Sequence, residues 1–249
     1  MLKIGIIGGS GLDDPGILKN PKELEITTEY GTPSSPLLSG KINDVDILIL
    51  ARHGRNHQLS PTQVNNRANI KAFQQEGVTH IIATTACGSL KYEIDRGHLV
   101  ILDQFIDFTR FRKNTFIESF ENGLVHPVMA HPFDENLRKK LYETAKKLDL
   151  NVHENGCVVT IEGPRFSTIA ESKMFKSWGA DVINMSTAPE VILANEVAIP
   201  YAAVAMSTDY DCWNEDEAPV TWEEIMAVFD QNAHNVIELI VNAIAALKE

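Results

Sequence analysis

The sequence predicts an α/β fold, and three features of its layout carry that prediction. Short apolar runs recur along the 249 residues, with segments of helical spacing between them. Several runs give way at their carboxyl ends to small, hydroxyl-bearing or charged residues, where ligands sit in open α/β sheets. No repeat, linker or low-complexity tract interrupts the series, so residues 1–249 are expected to form one domain.

In chain order, Lys3 to Ile7 alternates weakly and meets Gly8-Gly9-Ser10-Gly11. This reads as a strand followed by a tight turn whose free amides suit an anion. A dinucleotide fingerprint would require a helix to begin at these glycines. Asp13, Asp14, Pro15 and Gly16 follow instead, and neither G-x-G-x-x-G nor a Walker lysine is present. Val45 to Ala51 is a second apolar run and ends in Arg52-His53-Gly54-Arg55. A guanidinium suits phosphate because it bonds two oxygens at once. Val64 to Glu76 has helical spacing and stops before Gly77. A third strand, Val78 to Ala83, closes in the hydroxyl-rich Thr84-Thr85-Ala86-Cys87-Gly88-Ser89.

Leu99 to Phe108 is β-like, and Asp134 to Leu148 is an amphipathic helix capped by Asp134 and ending in lysines. The β-branched run Gly156 to Ile161 leads into Glu162-Gly163-Pro164-Arg165-Phe166-Ser167. A helix from Thr168 to Trp178 stops at Gly179, and the short run Asp181 to Met185 ends in Ser186-Thr187. Pro189-Glu190 then marks a helix start. Ala198 to Trp213 is apolar in its first half, a buried strand entered through Pro200, and then sets Asp209 and Asp211 past the strand's end. Spaced by two, these carboxylates point the same way if the chain stays extended. Flanked by Tyr210 and Trp213, they suit a planar, amine-bearing heterocycle. Thr221 and Glu224 form a capping box ahead of a long amphipathic helix.

Composition narrows the function. A content of 44% hydrophobic and 22% charged residues is that of an ordinary globular protein. A net charge of −12 argues against nucleic acid or an anionic membrane as partner, since both call for a basic footprint. It leaves room for a small anion wherever local groups overcome the background. No apolar run approaches the ~20 residues of a membrane span. The amino terminus shows no basic segment, apolar core or cleavage site, so a cytoplasmic location is expected, and the glycosylation pattern Asn184-Met185-Ser186 is read as chance. Three widely spaced cysteines, Cys87, Cys157 and Cys212, signal neither a disulfide framework nor a zinc site. With no His/Cys/Glu cluster at ligand spacing, no metal or organic cofactor is expected.

The strand ends supply two chemical sets. Ser10, Arg52, His53, Thr85, the Ala86 amide and Ser186 are the hydroxyls, cation and backbone donors of an oxyanion site. Phe166, Ser167, Met185, Asp209 and Asp211 offer a ring, a sulfur and polar groups suited to a nucleobase. Each also has a plain structural reading: Phe166 and Met185 as core, His53 as a satisfied strand-end histidine, the two acids as a polar loop.

The runs Gly8 to Leu12, Ala51 to Gly54, Thr84 to Ser89, Glu162 to Phe166, Gly179 to Met185 and Thr208 to Trp213 stand in unbroken order across nearly the whole chain. Together they resemble the methylthioadenosine-cleaving branch of the trimeric purine nucleoside phosphorylases. The resemblance implies an α/β fold with a central mixed sheet, partly closed into a barrel and flanked by helices. It implies phosphate-dependent cleavage of 5′-methylthioadenosine to adenine and 5-methylthioribose 1-phosphate, with phosphate as co-substrate and no cofactor. It further implies a homotrimer with active sites at the subunit boundaries. By matched position, Ser10, Arg52, His53, Thr85, Ala86 and Ser186 would hold phosphate, and Met185 would meet the ribose through its backbone. Phe166 would pack on the purine, while Asp209 and Asp211 would face N7 and the 6-amino edge. His126 would reach a neighbouring subunit's 5′ pocket, which Trp222 and Ile225 would line. Relatives that act on 6-oxopurines carry Asn at the position of Asp209 and Glu at that of Ser167, so both positions imply adenine. Asp209 is the expected acid, a role that requires desolvation or the charge of Asp211 to raise its pKa, or else a carboxylate that is ionised in the free enzyme and takes up its proton only with the base bound. Two rival readings are a broader phosphorylase of adenosine or 6-oxopurine nucleosides and a non-catalytic nucleoside-binding protein.

Overall fold

A computed structural model describes residues 1–8, 15–121, 123–216 and 221–248, except the side chains of Pro15, Trp222 and Gln231. Its elements in order are β1 (Lys3–Gly8), β2 (Lys19–Leu24), β3 (Leu37–Ile42), β4 (Val45–Ala51), α1 (Asn66–Gln75) and β5 (His80–Ser89). There follow β6 (Leu99–Ile101), β7 (Gln104–Phe108), α2 (Glu135–Lys147), β8 (Val152–His153), β9 (Cys157–Ile161) and α3 (Ile169–Ser177). The chain closes with β10 (Val182–Asn184), α4 (Thr187–Glu196), β11 (Tyr201–Tyr210) and α5 (Trp222–Lys248).

The strands form one mixed sheet with the path β2-β3-β4-β1-β5-β10-β9-β7, which forks at β5. The first half of β5 pairs with β1, parallel, through Ile4↔His80 to Ile7↔Ala83. Its last residues pair with β10, antiparallel, through Ile183↔Gly88 and Val182↔Ser89. The other edge of β5 is held along most of its length by β11, from Tyr201↔Ile81 to Tyr210↔Ser89. Beyond β11 come β6 and then β8. The sheet is mixed and flanked by helices, as the resemblance implies, and its hydrogen-bonded path stays open at β2, β7 and β8.

Both faces are covered, so the central strands are apolar throughout rather than alternating with polar residues. In β11, Tyr201, Ala203 and Ala205 pack into one core with Ile70, Phe73, Val191 and Leu193 of α1 and α4. Ala202, Val204 and Met206, one residue out of phase, pack into the other with α2 and α5. Leu137 and Leu141 from α2, and Leu239, Ile240 and Ile244 from α5, complete that second core. Burying each such side chain fully is worth about 1.5–3 kcal/mol.

The helix ends follow the sequence signals. Asp134 accepts from the Leu137 amide at 2.8 Å. Thr168 and Glu171 close a full capping box on α3. Thr221 and Glu224 do the same on α5, at 3.3 Å and 2.8 Å.

The structure corrects the sequence in three places. β5 does not stop at Ala83 but continues to Ser89, so the hydroxyl-rich stretch is strand, not loop. Small residues suffice there because β11 and β10 hold both edges. The β-like segment Leu99 to Phe108 is two strands, separated at Leu102 and Asp103. The antiparallel pair β2 and β3 has no apolar pattern to announce it, since Lys19–Leu24 is almost wholly exposed.

Candidate active site

Where the strands end, a cavity of about 640 Å³ opens. Arg52 and His53 enter it directly after β4, Thr84 to Gly88 from β5, and Asn184 to Ser186 from the end of β10. Pro164, Phe166 and Ser167 enter from the segment after β9, and Thr208, Asp209 and Asp211 from the end of β11. Ile225, Met226 and Phe229 enter from the first turns of α5. The residues drawn from the two chemical sets therefore share one space.

One end is built for an oxyanion. The Arg52 side chain is buried and forms an ion pair with Glu190, Nε to Oε1 at 2.5 Å and Nη2 to Oε2 at 3.1 Å. Its Nη1 donates to the Thr84 carbonyl at 2.8 Å. A guanidinium has five N–H groups, so this arrangement fixes the fork and leaves two donors for a ligand. Burial works against the Arg52 charge, but the charge and hydrogen bond of Glu190 outweigh it and hold the guanidinium above its usual pKa. Tyr201 steadies Glu190 in turn, its hydroxyl donating to Oε2 at 2.8 Å.

His53 Nδ1 lies 2.9 Å from the Leu59 carbonyl. A carbonyl only accepts, so Nδ1 carries the proton and Nε2 is an acceptor. Burial, and then the Arg52 charge, push its pKa down to about 4, so the ring is neutral at pH 7. Thr85 Oγ1 and Ser186 Oγ stand 3.0 Å apart. Asn184 Nδ2 reaches the Thr85 hydroxyl at 3.2 Å and the Thr187 hydroxyl at 2.6 Å, while its Oδ1 accepts from Thr160 at 2.8 Å. Ser186 occupies the N-cap of α4 without using its side chain to cap it. Its hydroxyl is thus left beside the positive end of a helix dipole.

The opposite end is acidic. Asp209 and Asp211 are both buried, and Asp209 Oδ1 accepts from the Thr208 hydroxyl at 2.8 Å. The register of β11 shifts between Ser207 and Asp209, a bulge that re-aims the residues after it. Gly88 makes room opposite, since a Cβ there would lie 3.4 Å from Asp209 Oδ2 and 3.2 Å from Ile183. Burial raises the Asp211 carboxyl above the usual range, against the pull of Ser172 and the Cys212 amide. The like charge among its leading causes is Glu171, so burial rather than carboxylate pairing dominates at this position. Among the described residues, Asp211 Oδ2 and Ser167 Oγ are buried polar atoms without a hydrogen-bond partner.

Most of the site expected from sequence comes together: Arg52, His53, Thr85, Ala86, Ser186, Phe166, Ser167, Met185, Asp209, Asp211 and Ile225 all line the cavity. Phe166 is 48% exposed at its mouth, which sets aside its reading as core. Tyr210 and Trp213, which flank the two carboxylates in sequence, do not line the cavity. They pack with Phe175 and Leu90 beneath the site, where the Trp213 indole donates to the Ser89 carbonyl at 2.8 Å. His126 is exposed outside the cavity, its ring 5.4 Å from that of Phe120. Ser10 and the Trp222 side chain fall outside the described residues. Sequence reasoning missed Glu190, Asn184, Met226 and Phe229. Glu190 is 138 positions from Arg52, and no local pattern announces such a pair. Among the described residues, no group of three or more His, Cys, Asp or Glu side chains is placed to hold a metal ion. No described helix is long and apolar enough to cross a membrane.

Comparison with known proteins gives one consistent result. Residues 3–245 match the model of the phosphorylase superfamily. An S-methyl-5′-thioadenosine phosphorylase of Xenopus tropicalis is 51% identical over 247 residues, covering 98% of this chain and 88% of that protein. Its counterpart from Anopheles gambiae is 52% identical over 245 residues, with the same coverage of 98% and 88%. A methylthioadenosine phosphorylase from Schistosoma mansoni in complex with adenine matches with a TM-score of 0.94 at 40% identity, covering 100% of this chain and 92% of that one. A mutant adenosine/methylthioadenosine phosphorylase from that organism, in complex with methylthioadenosine, gives a TM-score of 0.93 at 39% identity, with coverage of 100% and 92%.

Proposed function

The chain belongs to the phosphorylase superfamily, and on that premise we propose that it cleaves 5′-methylthioadenosine with inorganic phosphate to give adenine and 5-methylthioribose 1-phosphate. The observation that carries this reading is the polarity of one cavity, with an oxyanion set at one end and buried acceptors at the other. An enclosed acceptor without a partner is expected to meet a donor from the ligand. Asp211 Oδ2 suits the 6-amino group of adenine, whereas the oxygen of a 6-oxopurine would face it as a second acceptor.

In this reading a phosphate oxygen bonds to C1′ as the N9–C1′ pair of electrons leaves with the purine. Arg52 supplies its two free N–H groups to phosphate, and Ser10, Thr85, Ser186 and the Ala86 amide supply the remaining donors. The neutral His53 accepts, through Nε2, a hydrogen bond from the P–OH of a hydrogen phosphate. Holding nucleophile and sugar in line removes several kcal/mol of entropic barrier. The departing ring takes a proton at N7 from Asp209, and general acid help of this kind contributes about 10²–10⁴-fold. Phe166 covers the purine and Met185 meets the ribose through its backbone. Ile225 and Trp222 line the 5′ pocket together with His126 of a neighbouring subunit.

The reading takes residues 1–249 as one phosphorylase domain, acting in the cytoplasm without a cofactor. It also calls for a homotrimer. Support for self-association comes from the exposed apolar side chains Phe111, Leu124, Val125 and Val128 on the segment that bears His126. Adenosine is a second, slower substrate, because an apolar pocket separates a methylthio group from a hydroxyl only modestly. The Schistosoma relative's description as an adenosine/methylthioadenosine phosphorylase favours this. Incubation with methylthioadenosine, with and without phosphate, tests the proposal. Adenine is expected only when phosphate is present, and no adenine in either case would refute it.

A further inference from the structure

Behind the cavity wall lies a guanidinium that the reaction does not use directly. The Arg112 side chain is 2% exposed and does not line the cavity. Its Nη1 donates to the Met185 carbonyl at 2.5 Å, and its Nη2 to the carbonyls of Ile161 at 3.1 Å and Glu162 at 2.6 Å. Its Nε faces Glu162 Oε1 at 3.5 Å. One planar fork thereby ties the end of β9 to the end of β10, the two backbones that carry Ile161 and Met185 into the cavity.

The Glu162 carboxylate extends this tie. It accepts from the Thr62 hydroxyl at 2.5 Å, the Arg110 amide at 2.6 Å and the Phe111 amide at 3.2 Å. Thr62 adjoins Pro61, which lines the cavity. Arg110 and Phe111 lie at the root of the irregular segment that bears His126 and the exposed apolar residues.

We propose that Arg112 is a positioning residue for the sugar, and that the Arg112–Glu162 pair couples the backbone under the ribose to the segment that meets a neighbouring subunit. The proposal rests on the nucleoside reading of the cavity. A lysine cannot replace the fork, because an ammonium is a point donor that cannot hold three carbonyls on two elements in one plane. The pair therefore acts on the part of the ligand that lies against Met185. The Arg52 guanidinium and the Asp209 carboxylate have direct supports of their own in Glu190 and Thr208.

The test uses the full chain with Arg112→Lys and, because Arg112 is buried, the gentler Glu162→Gln as well. For each variant, kcat/KM for methylthioadenosine, the phosphate KM and the calorimetric affinities for adenine and for methylthioadenosine are measured. The nucleoside terms are expected to weaken at least tenfold for Arg112→Lys and several-fold for Glu162→Gln. Adenine affinity and phosphate KM are expected to stay within twofold of the parent. Equal losses for adenine, phosphate and nucleoside would show a merely structural role and overturn the proposal, as would nucleoside values within twofold of the parent. If Arg112→Lys does not fold, Glu162→Gln decides by the same criteria. Should the parent bind nucleoside but release no adenine, the proposed reaction falls, while the two affinities still decide the role of Arg112.

Discussion

Asp209 and Asp211 sit two positions apart and have different surroundings. Asp209 is oriented by the Thr208 hydroxyl, whereas Asp211 is raised by burial and keeps one oxygen unpartnered. In the proposed reaction the acid at N7 and the acceptor for the amino group are accordingly separate residues. Asp209→Asn is expected to lower adenine release about 10²-fold or more and to improve methylthioinosine relative to methylthioadenosine, because an amide can also donate. Parallel assays of the two nucleosides check this, and an unchanged rate would remove the role of Asp209. His53 gives a prediction about acid. Its pKa falls from 6.5 to about 4 in the folded chain, so between those values the unfolded chain binds a proton that the folded chain refuses. Its contribution to stability is full above pH 6.5 and declines as pH falls toward 4, by up to about 3 kcal/mol. Urea unfolding at pH 7 and pH 5 is expected to show a larger loss for the parent than for His53→Gln. Equal losses would contradict the assignment.

At the level of elements, the site depends on how strands end and helices begin. Thr168 caps α3 immediately after Phe166 and Ser167, so the helix start fixes the residues at the base end of the cavity. Thr168→Ala is expected to cost about 1 kcal/mol of stability by removing the cap. It should also raise KM for the nucleoside more than for phosphate. Denaturant unfolding and two KM measurements check both statements. The Thr221–Glu224 capping box on α5 was legible in sequence because its residues are three apart, whereas the one on α3 emerged only with the fold. The ends of β4, β9 and β10 were legible because an apolar run gives way abruptly to polar residues, but β11 runs on through Asp209 to Tyr210, so Asp209 lies within the strand and only Asp211 past its end. The continuation of β5 through Thr84–Ser89 was not legible, since small and hydroxyl residues look alike in a loop and in a strand held on both edges. Arg112 and Glu190 were hidden for another reason. Their partners lie 49–73 and 138 positions away, and only the folded sheet brings them together.

For the whole molecule, the irregular stretch between β7 and α2 stands out. Phe111, Leu124 and Val128 are 77%, 72% and 86% exposed there, an arrangement with no gain for an isolated chain. Burial against a second copy would repay it. Val128→Asp is expected to shift the protein toward smaller species in sedimentation velocity and to lower methylthioadenosine cleavage in parallel. A parent that sediments as a monomer at assay concentration would defeat this. The fork at β5 has a longer-range consequence. Thr85 and Gly88 lie three residues apart on that strand, roughly 10 Å at ~3.3 Å per residue. In the proposed reaction one stretch of backbone thus sets the separation between nucleophile and heterocycle, like the fixed gap of a gauge. In that reaction Ser167 and Asp209 serve the heterocycle alone, so a substitution at either changes leaving-group preference without moving the phosphate. Within it, an alteration in β5 would disturb both reactants at once.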